Sequence, residues 1–140
     1  MLLLFVALSP WLAYELGLSR FDAMPVKPAQ LARAEQQAWV WHLARGAGQP
    51  QVQPMNPYAY VLRFFSGDGR ATPSETLAYW ISREHVWKLP REGMGWWHLT
   101  NASLTIWLSR HWTIEEIASA AYVVAIKWPP RKPRAVSPES

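Results

Sequence analysis

Hydrophobic residues recur at helical spacing through most of the chain, and no stretch of useful length alternates between apolar and polar residues. A period of 3.6 residues places such positions on one face of a helix, whereas a strand needs a period of two. The pattern therefore predicts an all-α protein. Asn56, Thr72 and Thr113 are expected to open three of the helices, and proline and glycine mark other helix ends. The predicted helices of the body run over 28–45, 58–65, 72–89, 96–112 and 113–127, and the fourth could start as late as 101.

The first 18 residues are almost wholly apolar, which separates them from the rest of the chain. A helix of that length spans about 27 Å, close to the roughly 30 Å of bilayer hydrocarbon. We therefore expect a membrane helix over 1–19. A buried amphipathic helix is the alternative. A cleaved signal peptide is disfavoured because no basic residue precedes the apolar run.

The body is predicted to occupy 20–128 and to be followed by a tail over 129–140. Pro129 and Pro130 cannot continue a helix and stop the last one. The tail is rich in proline and basic residues, so we expect it to be disordered.

Composition narrows the function classes. The 140 residues suffice for one domain, ten of them are tryptophan, and none is cysteine, which excludes disulfides and thiolate metal sites. The net charge of +4 is concentrated in the tail, so we expect no nucleic-acid partner. The four histidines show no metal-ligand spacing, and we expect neither a metal nor a cofactor.

Glu84 is the candidate catalytic residue. Helical spacing places this carboxylate in an apolar stripe with Leu77, Trp80, Ile81 and Trp87. Burial against tryptophan would raise the pKa of Glu84 and make it a general acid. The alternative is that Glu84 lies at the margin of the stripe and reaches water, or pairs with a basic group.

Three segments resemble a known enzyme family. Residues 102–110, ASLTIWLSR, resemble the G-S-T-x-T-x-Q-L-A-R helix of the lysozyme-like peptidoglycan glycosyltransferases of family 51. Residues 81–85, ISREH, resemble the family's I-A-x-E-D segment, which carries its catalytic glutamate, and 108–117 is similar to its L-E-x-x-x-S-K-x-E-I-L stretch. His85 stands in place of the family's aspartate, Trp107 in place of a glutamine, and the body is shorter. The resemblance covers about 77–122 and implies a truncated or degenerate relative.

The resemblance implies a small lysozyme-like domain of about five helices that binds or acts on a lipid-linked peptidoglycan precursor, with reduced or no polymerising activity. Glu84 would be the catalytic group. The residues expected to bind glycan or pyrophosphate are Ser103, Thr105, Arg110, Trp96 and Trp97. Membrane lipid, the glycan and other envelope proteins are the expected partners. As the family implies, we expect the body on the outer, periplasmic side of the bacterial inner membrane, although basic residues after position 18 favour the cytoplasmic side.

Two alternatives stay open. One is a non-catalytic, membrane-associated accessory, inhibitor or structural subunit of a bacterial envelope assembly, whose surplus of tryptophan contacts lipid and partner helices. The other is a peripheral protein on the cytoplasmic leaflet, with its basic tail on anionic lipid.

Overall fold

The computed structural model describes residues 2–67 and 69–129, and its side chains from Leu4 onward. In this part of the chain it is all-helical and contains no strand, so the all-α prediction is confirmed. The predicted tail beyond 129 lies outside the described residues. The six helices described are α1 (Leu2–Leu18), α2 (Ala34–Leu43), α3 (Pro57–Ser66), α4 (Pro73–Val86), α5 (Met94–His111) and α6 (Ile114–Lys127).

Helix α4 lies at the centre and packs against α5 on one side and α6 on the other. Its Leu77 and Ile81 are fully buried with Leu104 and Leu108 of α5 and Ile117 of α6. Alanines on the inner face of α6, Ala118, Ala121 and Ala125, are buried in the same core. Helix α2 covers α6, α1 covers the far side of α5, and α3 contacts α1.

Three helices begin at side-chain caps that the sequence marks. The side chains of Asn56, Thr72 and Thr113 accept hydrogen bonds from backbone N–H groups in the first turns of α3, α4 and α6. In α6, Glu116 completes the capping box by accepting from the Thr113 N–H at 2.8 Å. Each cap satisfies donors that a helix N-terminus leaves free.

Helix α2 begins at Ala34, and the prediction of a start at Pro28 was wrong. The preceding segment is not helical and bonds to another element, since the Ala32 N–H donates to the Ser119 hydroxyl of α6 at 2.8 Å. The side chain of Gln36 then accepts from the Arg33 N–H at 2.9 Å. This long-range contact competes with helical bonding and delays the helix start by about six residues.

The C-terminal half of α1 belongs to the helical body. Tyr14 and Leu18 are buried against Ile106 of α5. Gly17 lies so close to α5 that an added Cβ would be 2.7 Å from Cβ of Ser103 and 3.0 Å from the carbonyl oxygen of Leu99. The two helices run antiparallel, and glycine makes this approach possible.

In the described part of the chain, none of the helices combines the length and the apolar content needed to cross a membrane. The predicted membrane helix over 1–19 is therefore unsupported. Its residues instead form α1, one side of which packs on α5.

Candidate functional site

Glu84 lies near the C-terminal end of α4, at the rim of the predicted apolar stripe. Burial decreases toward the C-terminal end of the stripe, because Leu77 and Ile81 are buried whereas Trp87 is 52% exposed. The side chain of Glu84 is 18% exposed and projects toward the end of α6. Helical spacing set the face correctly, but not how far along it the core extends.

The Glu84 carboxylate is paired at both oxygens. Lys127 Nζ donates to Oε1 at 2.5 Å, and the Trp128 indole N–H donates to Oε2 at 3.2 Å. The hydrogen bond from Lys127 is the main cause that lowers the pKa of Glu84, and it outweighs the opposing effect of burial. The raised pKa expected from the tryptophan stripe is not found. The carboxylate stays ionised at neutral pH and can accept a proton there, but cannot donate one.

A cleft of about 780 Å³ surrounds this carboxylate between α4 and the end of α6. Aromatic rings and an arginine accompany Glu84 in its wall. The lining side chains include Trp80, Arg83, Trp87, Val124 and Trp128. This is an aromatic cleft with one compensated anion, which suits a ligand with hydroxyl groups and an apolar face.

Ser103 and Thr105 lie inside the helical body. Each is 1% exposed. Ser103 faces α1 at Gly17, and the Thr105 hydroxyl donates to the backbone oxygen of Asn101 at 2.8 Å within α5. These hydroxyls serve helix packing, and neither reaches a surface open to a glycan.

Arg110 lies on the surface, near the middle of α1. Its Nη1 donates to the Met55 carbonyl at 3.1 Å, and its guanidinium carbon is 5.5 Å from the centre of the Trp11 ring. Arg110 thus stands on the α1 side of α5, whereas Glu84 points toward α6. The structure does not bring Glu84, Ser103, Thr105 and Arg110 into one cleft.

Trp96 and Trp97, in the first turns of α5, line a second cavity of about 350 Å³. The Trp97 ring centre is 5.9 Å from that of Trp87. Because Trp87 lines both cavities, it separates the Glu84 cleft from the cavity at Trp96 and Trp97.

Sequence reasoning missed an apolar surface formed by α1 and α3. Helix α3 is strongly amphipathic, yet its apolar face points to solvent, and Arg63 on the inner side pairs with Glu75 of α4. On α1 the exposed residues are Leu4, Phe5, Val6, Leu8 and Leu12, and on α3 they are Tyr58, Val61, Leu62, Phe64 and Phe65. We call this set the apolar surface. The amphipathic pattern of residues 58–65, YAYVLRFF, is visible in the sequence. Such a pattern does not say which face of the helix points inward.

Among the described residues, no group of three or more histidine or carboxylate side chains could hold a metal ion. Comparison of the chain with known proteins gave no match to a family model, to a characterised protein or to a solved structure.

Proposed function

We propose that this protein is a non-catalytic, membrane-associated protein that binds lipid through the apolar surface of α1 and α3. The observation that carries the proposal is the outward apolar face of α3 beside the exposed turns of α1. Phe64 and Phe65 are 78% and 81% exposed, and Leu62 is 70% exposed. Contiguous exposed apolar patches of this kind mark interaction sites, and an interfacial helix has such a face.

The first turns of α1 favour lipid over one flat protein partner. Leu4, Phe5 and Val6 are consecutive and 63–67% exposed. Consecutive helical residues point about 100° apart, so apolar side chains project on several sides of the helix. A helix that is apolar all round belongs in a large core or a membrane. Helix α1 in this proposal is inserted at its N-terminal end and anchored to the body at its C-terminal end.

Aromatic and basic side chains at the edge of the apolar surface support the same orientation. Trp11 lies beside Tyr14, and Arg110 stacks over the Trp11 ring. Tryptophan and arginine are favoured at headgroup depth because each combines an apolar body with a polar tip. Trp11, Tyr14 and Arg110 would therefore lie at the depth of the lipid headgroups, with the rest of the body in water.

Vesicle flotation of the double variant Leu62→Glu/Phe65→Glu tests the proposal. Burying a leucine or phenylalanine side chain is worth about 1.5–3 kcal/mol. Replacing both with carboxylates should therefore lower the vesicle-bound fraction at least tenfold, because tenfold corresponds to about 1.4 kcal/mol.

The matched control is Val123→Glu/Ile126→Glu on α6. Val123 is 58% exposed and Ile126 is 57% exposed, and their helix does not pack on α1 or α3. Its vesicle binding should equal that of the wild type. Equal loss of binding in both variants, or no binding of the wild type to vesicles of any headgroup charge, would contradict the proposal.

A second candidate is the glycosyltransferase-related activity, acting on a lipid-linked peptidoglycan precursor on the periplasmic side of a bacterial inner membrane. The observation that favours it is Glu84 in a cleft with Trp80, Trp87 and Trp128. An ionised Glu84 would serve there as a base that accepts the proton of an attacking hydroxyl.

Polymerisation of the lipid-linked precursor by the wild type and by Glu84→Gln separates the two candidates. If the protein is catalytic, the wild type should polymerise the precursor. The rate should be at least a hundredfold lower in Glu84→Gln, as is typical when a general base is removed. Activity that is absent from the wild type, or equal in both proteins, supports the non-catalytic protein. Vesicle binding should be unchanged by Glu84→Gln under either candidate.

A further inference from the structure

The cavity at the start of α5 has the shape and lining of a small-ligand site. Its volume of about 350 Å³ lies within the range of roughly 300–1,000 Å³ for such sites. The wall is mainly apolar and aromatic, with Val86, Trp87, Trp96 and Trp97 among its residues. It is distinct from the Glu84 cleft and from the apolar surface of α1 and α3.

The rim of this cavity is cationic. The guanidinium of Arg20 lies over Trp96 at 5.4 Å, and that of Arg91 lies over Trp87 at 5.7 Å. Arg20 pairs with Glu92 at 2.5 Å. Arg91 has no carboxylate partner among the residues that the structure describes. Within residues 4–67 and 69–129, one positive charge at the mouth is therefore uncompensated.

The start of α5 provides free backbone hydrogen-bond donors in the wall of the cavity. Gly93, the N-cap of the 18-residue helix α5, provides no side-chain cap, and the first turn holds no acidic residue. The nearest carboxylate along the chain, Glu92, precedes the N-cap and pairs with Arg20, so the first turn itself offers its positive dipole end to an anion. The Trp97 indole N–H is buried and has no acceptor in the described part of the chain. Because its nitrogen is sealed from solvent, this N–H does not offer a hydrogen bond to a ligand in the cavity.

We propose that this cavity binds a small amphiphile with an apolar chain and one carboxylate. The chain would lie among the tryptophans, and the carboxylate would sit at the mouth, near Arg91 and the first turn of α5. The complementary charge selects an anion over a neutral or cationic amphiphile of equal length. The proposal does not depend on membrane binding.

The geometry favours a dissolved ligand over a lipid of the membrane that α1 would enter. Arg20 follows the C-terminal end of α1, and the exposed turns lie at the other end. A helix of 17 residues is about 25 Å long, so the cavity stands well away from the first turns of α1.

Titration calorimetry of the full chain with decanoate, decanol and decyltrimethylammonium, without vesicles, tests the proposal. We expect one decanoate per chain and at least tenfold weaker binding of the other two probes. Arg91→Gln should weaken decanoate binding about tenfold, because it removes a charge-assisted hydrogen bond to the carboxylate. Glu92→Gln should strengthen decanoate binding severalfold, because it removes the opposing charge and releases Arg20.

Opposite effects of two exposed-site variants separate a ligand site from a loss of structure. The control Arg70→Gln removes the same charge from an exposed loop and should leave decanoate binding unchanged. Equal binding of all three probes, or the same affinity in Arg91→Gln and Arg70→Gln, would overturn the proposal. Sensitivity to Arg91→Gln that appears only with vesicles of anionic phospholipid would also overturn it, in favour of a lipid headgroup.

Discussion

At the scale of single residues, the environment of Glu84 shows how a distant partner reverses a local expectation. Its neighbours along α4 are tryptophans and aliphatic residues, which alone would raise the pKa of its carboxylate. Lys127 and Trp128, more than 40 positions away, approach from α6 and lower the pKa instead. The sequence left open a pairing with a basic group, but the identity of that group follows only from how α6 packs on α4.

Glu84 should contribute to the pH dependence of stability. A group whose pKa is lowered on folding stabilises the protein above its unfolded-state pKa, here near 4.5. That stability is lost as the pH falls through the folded-state pKa. Between pH 7 and pH 3, Glu84→Gln should therefore lose less stability than the wild type, by up to about 1 kcal/mol for a partly exposed pair. Urea unfolding at both pH values measures this difference. The control Glu115→Gln removes an exposed carboxylate of α6 and should differ from the wild type by less than Glu84→Gln does.

Gly17 and Gly95 should respond in opposite ways to the same substitution. Both are helical, and alanine is favoured over glycine in a helix by up to about 1 kcal/mol. Gly17→Ala should nevertheless destabilise the protein by about 1–3 kcal/mol, because its Cβ would overlap Ser103 and the Leu99 carbonyl. Gly95→Ala meets nothing within 4 Å and should be neutral or stabilising. Urea unfolding of the two variants measures both effects, and equal signs would refute the close approach of α1 to α5.

At the scale of helices, local signals worked where the determinants are local. Asn56, Thr72 and Thr113 cap the helices that they were expected to open. The predicted start of α2 was wrong because the Ala32 N–H donates to the Ser119 hydroxyl, 87 positions away. Helix α5 begins at Met94, ahead of the expected range, although Gly93 and Gly95 flank that start. Glycine lowers local helix propensity, but packing of Trp97 on Trp87 is compatible with an earlier helical start.

The cap of α6 should be separable from its packing. Thr113→Ala removes the side-chain acceptor for the Glu116 N–H and should lower the free energy of unfolding by about 1 kcal/mol. Thr113→Ser keeps the hydroxyl and should retain most of the stability. Urea unfolding at neutral pH measures both variants. A serine variant as unstable as the alanine variant would mean that the threonine methyl group, rather than the cap, is responsible.

At the scale of the whole molecule, an ion pair fixes the unusual orientation of α3. Arg63 turns inward and pairs with Glu75, which is 8% exposed and whose second oxygen has no partner among the described residues. A buried carboxylate needs such a partner. The apolar face of α3 is consequently left outside, where we propose that it meets lipid.

Replacing one partner of this ion pair should lower the free energy of unfolding more than replacing both. Arg63→Met leaves the buried Glu75 carboxylate unpaired and should destabilise the protein by about 1–3 kcal/mol. The double variant Arg63→Met/Glu75→Met should recover most of that loss, because neither charge is then buried alone. A thermodynamic cycle from urea unfolding of the four proteins measures the coupling. Additive losses would show that the pair does not hold α3 to α4.

The sequence by itself determined the helical class, the places of most helices and three of their caps, because periodicity and capping depend on residues within one or two turns. It could not determine that α1 packs on α5, that the apolar face of α3 points outward, or that Lys127 pairs with Glu84. Those features depend on contacts between residues far apart in the chain, where a close approach, a buried charge or a distant hydrogen bond outweighs local preference. The tertiary structure therefore decided which carboxylate stays ionised, which hydroxyls are sealed inside, and which apolar surface is left for a partner.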